Sequence, residues 1–509
     1  MKLRSSFALI FAGSALFAQA QFTSGLRAIP SDLKKGFDSI NTDDGKKFLG
    51  YLAGPECEGR GTGQPGFEKA TDYMADNFKK FGLKPIMPDG SYFQLVDFWR
   101  VGTVKGSLLL KSDSYQAKEN EIGVSRAGDV DVSGPIAFVS ANGKITAGRT
   151  VSISDENAAK VKDRIVFVLN KSLSRNLESA LTAAGAKAIV SVVDKVSVAS
   201  GSGRQSKPAT MGTGRLSVTL ATLKKMVGSE DKAVVDAPVG ADTLSINSLS
   251  GTVTAAAKAT AEPVKVGNVV AKLEGSDPIL KDEFIGVGAH LDHLGKNGDV
   301  VYPGADDDGS GSTAVLQLAK ALSTNPIKPK RTVIFMAFYG EEMGLLGSRY
   351  FSDNAPIDLT KMVAEIQMDM VGRNSTGAQN GDPNRMDKEE ENRDTIRLVG
   401  SKRISTALDK IILDQNESIG WKFKYDSEDV YTRSDHYNFA RKGIPIAFFF
   451  TGFHPDYHQP TDTIEKINFD KIANTTKLVY LCVHQLGEYK GMLPKDVPPT
   501  GGSGRGDGK

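Results

Sequence analysis

Apolar positions along this chain recur with two different periods, and the switch between them divides it. Phe67, Ala70, Met74, Phe78 and Phe81 stand three and four residues apart, the spacing of one helix face, and the run Gly82 to Pro85 closes that helix. From about Val104 to Thr260 the texture changes to short alternating runs of Val, Ser, Gly and Ala, nearly without aromatics and without any histidine. Within that stretch, residues 163–170 (DRIVFVLN) predict a strand, and 177–193 predict a helix, a glycine turn and another strand. A small, mainly β unit inserted into a larger domain accounts for this; the alternative is an elaborate edge of one domain.

After Pro263 the rhythm becomes strand, loop, helix. Residues 283–289, 331–338, 362–370 and 444–450 are near-continuous apolar runs of strand length, while 311–322, 348–354, 396–413 and 472–489 read as helices. Buried strands alternating with helices indicate an α/β fold: a mainly parallel mixed β-sheet flanked by helices on both faces.

Composition adds boundaries to that pattern. Lys2 and Arg4 precede an apolar run from Phe7 to Leu16, then Ala18-Gln19-Ala20, which together read as a signal peptide over 1–20 and predict an exported protein, periplasmic or secreted. The run is too short to span a bilayer. Without it the remaining chain carries 61 basic against 61 acidic groups, a balance that gives no reason to expect nucleic acid or an anionic membrane as partner. The expected order is therefore 21–103 as the first part of a main domain, 104–260 as the insert, 261–492 as the rest of the main domain and 493–509 as a flexible Gly-rich tail. The Arg505-Gly506-Asp507 triplet in that tail is read as accidental. Cys57 and Cys482 are the only cysteines; export permits a bridge between them, and two buried thiols are the alternative.

The charged residues fall in informative places. His290 and Asp292 follow one predicted strand, the adjacent Glu341 and Glu342 follow the next, and Asp369 lies near the end of a third. In open α/β sheets, ligands collect beyond the carboxyl ends of the strands. Asp306, Asp307 and Asp308 lie between glycines at the start of a helix, where a solvated cap is the plain reading and close backbone approach to a ligand the functional one. Five of the six histidines (290, 293, 436, 454 and 458) lie between Glu283 and Glu465. Imidazoles mixed with carboxylates suit zinc. Two zinc ions sharing three carboxylates and one hydroxide would balance in charge, leaving one of the paired glutamates to bind metal and the other to move protons.

These residues form an ordered series: HLDHLG (290–295), GADDDGSG (304–311), YGEEMGLLGS (339–348), QMDMVG (367–372), SDHYNF (434–439) and DYHQPTDT (456–463). The series resembles that of the co-catalytic di-zinc aminopeptidases, a metallopeptidase family that includes glutamate carboxypeptidases and is related to glutaminyl cyclases and the transferrin receptor ectodomain. CEGRGTGQPG (57–66) resembles a loop near the start of its bacterial members, and the insert resembles their protease-associated domain. The resemblance implies one zinc on His290 and Asp369, a second on Glu342 and His458, and Asp307 bridging them. It further implies Asp292 orienting His290, Glu341 as general base and Tyr431 helping to hold the substrate carbonyl. The implied activity is removal of N-terminal residues from peptides with a free amine. Rival readings are a carboxypeptidase, for which Arg349 and Arg373 are candidate carboxylate contacts, a glutaminyl cyclase, or a non-catalytic receptor-like binding protein. No GxSxG elbow supports a serine hydrolase. His293, His436 and His454 stay open between support of a metal site and ordinary surface roles; His484, inside the terminal helix, is expected to be structural.

Overall fold

The computed structural model describes residues 27–141, 151–169, 173–197, 202–204, 214–237, 243–374, 392–425 and 428–497; the predicted leader and the Arg505-Gly506-Asp507 triplet lie outside them. The larger sheet has nine strands: β1 (Lys84–Pro85), β2 (Phe93–Val96), β3 (Val266–Leu273), β4 (Phe284–His290), β5 (Thr332–Phe338), β6 (Met362–Met368), β7 (Thr395–Val399), β8 (Lys422–Lys424) and β9 (Ile446–Phe450). Their order is β1-β3-β5-β4-β6-β9-β7-β8, with β2 beside β3. The four central strands β5, β4, β6 and β9 run parallel. Antiparallel pairs flank them on both sides.

Alternation along β5 explains why both faces are covered. Val333, Phe335 and Ala337 enter one apolar cluster with the helices Thr42–Leu52, Pro65–Lys80, Gly309–Thr324 and Phe469–Glu488, whereas Ile334, Met336 and Phe338 enter another with Phe351 and Phe439 on the opposite side. The helix Gly309–Thr324 is buried on nearly every side, as its all-round apolar sequence requires. The helix Pro65–Lys80 buries Phe67, Ala70, Met74 and Phe78 as the spacing predicts, and Gly82 at φ +79° ends it. The fully buried Arg331 donates to Glu283 and to the carbonyls of Leu486, Tyr489 and Gly491, so the end of the last helix is tied to the start of β5.

A second sheet of seven strands occupies residues 109–257, in the order 109–112, 244–257, 130–141, 165–169, 188–193, 215–219, 122–126. It has its own apolar clusters. Where the chain enters and leaves it, Trp99–Thr103 pairs antiparallel with Ala259–Pro263.

One expectation requires correction. Residues 396–413 are not one helix: Thr395–Val399 is strand β7, and the helix is Thr406–Asn416. Five consecutive buried residues fit a strand as well as a helix face, and Gly400 at φ +74° breaks the run. Cys57 and Cys482 are both free and buried, and burial raises both thiols, that of Cys57 to about 11. Among the described residues no helix is long and apolar enough to cross a membrane.

Candidate metal centre and active site

The register of the parallel strands gathers the chemistry at one edge. His290 at the end of β4 pairs with Phe338 at the end of β5, and Met368 at the end of β6 pairs with Phe449 in β9. The residues just beyond these ends are Glu341 and Glu342, Asp369, and the loop that carries His458. Gly340, at φ +64°, turns the chain sharply after β5, a conformation that favours glycine.

The three successive aspartates do three different things. Asp308 caps the helix Gly309–Thr324, with Oδ1 accepting from Gly311 and Met370 and Oδ2 from the amide of His290. Asp306 accepts from the amide of Gly372, and its other oxygen lies 3.3 Å from His454 Nε2. Asp307 alone turns both oxygens toward imidazoles: Oδ1 is 3.2 Å from His290 Nε2, while Oδ2 is 3.1 Å from His458 Nε2 and 3.6 Å from His293 Nδ1.

Around Asp307 the other side chains fall into two groups. On one side, His290 Nδ1 lies 2.9 Å from the carbonyl of Asp292, which leaves Nε2 facing Asp307 and, at 3.6 Å, Asp369. The Asp292 carboxylate stands farther from that ring, at 3.8 Å. Asp369 Oδ2 accepts from Ser434 Oγ at 2.7 Å, and Oδ1 has no hydrogen-bond partner. On the other side, Glu342 meets His458 at 3.1 Å and His293 at 2.7 Å. The donor atoms of His293, Asp307, Glu342 and His458 all lie within 4.8 Å of one another, as do those of His290, Asp308 and Asp369. Buried donors without hydrogen-bond partners, including Asp307 Oδ2, Glu342 Oε1, Asp369 Oδ1 and both ring nitrogens of His293, are what a cation-binding pair of sites requires.

The electrostatics separate the adjacent glutamates. Burial, opposed by His290 and reinforced by Glu342 and Asp369, holds the Glu341 carboxyl well above its ordinary range. Burial and Asp307 would also raise Glu342, but the His293 and His458 imidazoles beside it bring it below that range. Burial lowers His458, yet Asp307 and Glu342 outweigh it and push the ring up to about 10. Two neighbouring carboxyls driven in opposite directions is the pattern of a divided acid–base and binding task.

A cavity opens over this edge. Its polar wall is His290, Asp307, Glu341 and Asp369; its apolar wall is Met370, Val430, Phe448, Phe450, Phe453 and Tyr457, with Arg433 also lining it. Arg433 lies over the Phe453 ring and Tyr457 stacks on His458. Tyr431 is not among the lining residues: Arg403 covers its ring, and its carbonyl faces His436 Nε2 at 2.7 Å. His436 is buried against Phe448, with its pKa lowered to about 3 by burial, and His484 lies in the terminal helix beside Tyr480, lowered to about 4. Arg373 meets Asp456 and Asp462 while Arg349 donates to the carbonyl of Gly344. His293, like His436 and His454, is a residue whose place the sequence left undecided. Its position three residues past His290 is the only signal, and a bridge to Gly61 sets the loop that turns it inward.

Residues 268–483 match the model of Peptidase family M28. The chain is similar to a probable leucine aminopeptidase of Trichophyton verrucosum, 33% identical over 221 residues, a match covering 41% of this chain and 56% of that relative. This chain thus spans little more than half the length of that relative. It is also similar to a probable lipoprotein aminopeptidase of Mycobacterium tuberculosis, 25% identical over 482 residues that cover 89% of this chain and 84% of the relative. In fold it resembles BSAP, a zinc aminopeptidase from Bacillus subtilis (TM-score 0.53, 19% identity, 90% of this chain and 96% of that one). It likewise resembles an M28 peptidase precursor from Shewanella amazonensis (TM-score 0.55, 17% identity, 92% and 99%). The sheet, with its donor groups at one edge, has the fold of these two structures, and the stretch 268–483 is the part of the chain that matches Peptidase family M28.

Proposed function

We propose that this protein is an exported zinc-dependent aminopeptidase that releases N-terminal residues from peptides. The observation that carries the reading is Asp307, which directs one carboxylate oxygen to His290 and the other to His458. His290 and Asp369 would hold one zinc, Glu342 and His458 the second, and Asp307 both, with His293 beside the second position. Bound zinc supplies a Lewis acid for the scissile carbonyl and a water acidic enough to be deprotonated near neutral pH. Glu341, on the wall of the cavity, would act as the general base, taking a proton from the attacking water and returning it to the leaving amine. The carboxylates at the rim hold the substrate's free α-amine, and the wall of Met370, Val430, Phe448, Phe450 and Phe453 suits a large apolar first side chain. In this reading the sheet over 109–257 belongs to an inserted protease-associated domain.

The test is hydrolysis of a panel of amino-acid anilides by the purified mature protein, with and without N-acetylation, before and after chelation and zinc add-back. Cleavage that needs a free amine, is lost on chelation and returns with zinc is the expected result, with leucine and phenylalanine preferred. Two bound zincs without cleavage of any anilide would turn the reading to carboxypeptidase or cyclase substrates. Absence of bound metal would turn it to a binding protein.

A further inference from the structure

The loop at residues 57–66 lies far in sequence from every group in the cavity, yet it is built into the site. Arg60 is fully buried and donates to the carbonyls of Leu52, Leu291, Pro303 and Gly304. It thereby joins the segment after His290 to the segment before Asp306. Its own carbonyl accepts from the amide of His293 at 3.2 Å. Arg60 itself sits at φ +52°, between Gly59 at +76° and Gly63 at +80°, so the backbone here is turned tightly under the strand ends. Two residues on, Thr62 is held in that turn with only 9% of its surface exposed.

The Thr62 hydroxyl makes two hydrogen bonds of different direction. It donates to Asp292 Oδ2 at 2.8 Å and accepts from the amide of Gly340 at 3.1 Å. The other oxygen of Asp292 accepts from the amide of Glu341 at 3.1 Å. Thr62 and Asp292 therefore bind two successive amides of the turn that carries the Glu341 side chain. The Asp292 carboxylate is spent on this turn, while the His290 ring is met by the Asp292 carbonyl.

We infer that Thr62 is a positioning residue for Glu341: through Asp292 and the Gly340 amide, its hydroxyl fixes the turn from which that carboxylate reaches into the cavity. The inference rests on Glu341 being the general base. Partners of this kind typically change activity by about ten to a hundredfold when removed. A small displacement of a proton-transferring group is enough to do so.

The experiment uses the zinc-loaded full-length protein. Thr62→Val keeps the shape and removes the hydroxyl; Thr62→Ser restores it. Thr62→Val should lower kcat on a leucine anilide by about tenfold or more with KM within about twofold, two zincs retained and the midpoint of a chelator competition unchanged. Thr62→Ser should recover most of that loss. In a Glu341→Gln background the Thr62→Val change should cost little further rate, because the carboxylate it positions is gone. If the valine variant does not accumulate as folded protein, Thr62→Ala, judged by the same zinc, KM and Glu341→Gln criteria, takes its place. Wild-type kcat in the hydroxyl-free variant would overturn the inference. So would loss of zinc in step with loss of rate, or an undiminished penalty in the Glu341→Gln background. A wild-type protein that cleaves no anilide defeats the aminopeptidase reading instead, so the two failures are distinguishable.

Discussion

The chain contains two sheets with parallel strands at their centres, and only one of them gathers a site. In the larger sheet, β4, β5 and β6 end in or just before His290, Glu341 and Asp369, and the loops beyond add Asp307 and His458. In the smaller sheet, 130–141, 165–169 and 188–193 also run parallel, yet no histidine occurs anywhere between residues 104 and 260. Among the described residues, both donor groups with metal-binding spacing lie in the larger unit. Parallel topology offers a common edge, but titratable groups must be placed on it and left without other partners. Single ion pairs also differ: Arg373 and Asp462 are 5% and 0% exposed at their side chains, whereas Lys225, on the helix Leu220–Met226, is half-exposed and pairs with Glu121.

Four perturbations separate the two sheets, in falling order of effect. Asp307→Ala should lose both metals and bring hydrolysis to background, read by elemental analysis and anilide turnover, while the smaller sheet keeps its amide-exchange protection. Glu341→Gln should lower kcat by about a hundredfold or more yet leave two zincs per chain. Chelation should lower the melting temperature of the larger unit and leave that of the smaller one in place. A ligand at a hundred times its Kd stabilises a fold by about 2.7 kcal/mol, so the shift should be visible by calorimetry. The smallest effect concerns acid. Hydrogen bonds from Lys225, Tyr115 and the Lys118 amide lower the Glu121 carboxyl to about 2. Its contribution is present above the ordinary value of 4.5 and disappears as pH falls toward about 2, so Glu121→Gln should flatten the pH dependence of the smaller sheet's stability in that window and leave the larger unit unaffected.

Much of this is legible in the sequence itself. Apolar runs of strand length placed β4, β5, β6 and β9 within a residue or two, and the charges clustered just past their ends. What periodicity could not do was decide short runs: Thr395 to Val399 is a strand because its backbone pairs with β9 on one side and β8 on the other, contacts that no local pattern encodes. Asp306, Asp307 and Asp308 look alike in the sequence, and their division of labour depends on which amide or imidazole each oxygen meets across the fold. His293 and Thr62 were illegible for a related reason. Each acquires its place from the bent loop around Gly59 to Gly63, whose contacts lie more than two hundred residues away.

The stem at Thr103 and Ala259 has a further consequence. These two residues are direct partners in an antiparallel ladder, so the chain departs from the larger unit and comes back to it at a single point. A tight reverse turn of a few residues would span that junction, and the order of β1 to β9 is independent of what lies between. The sheet that holds Asp307 therefore needs no rethreading whatever length of chain joins Thr103 to Ala259.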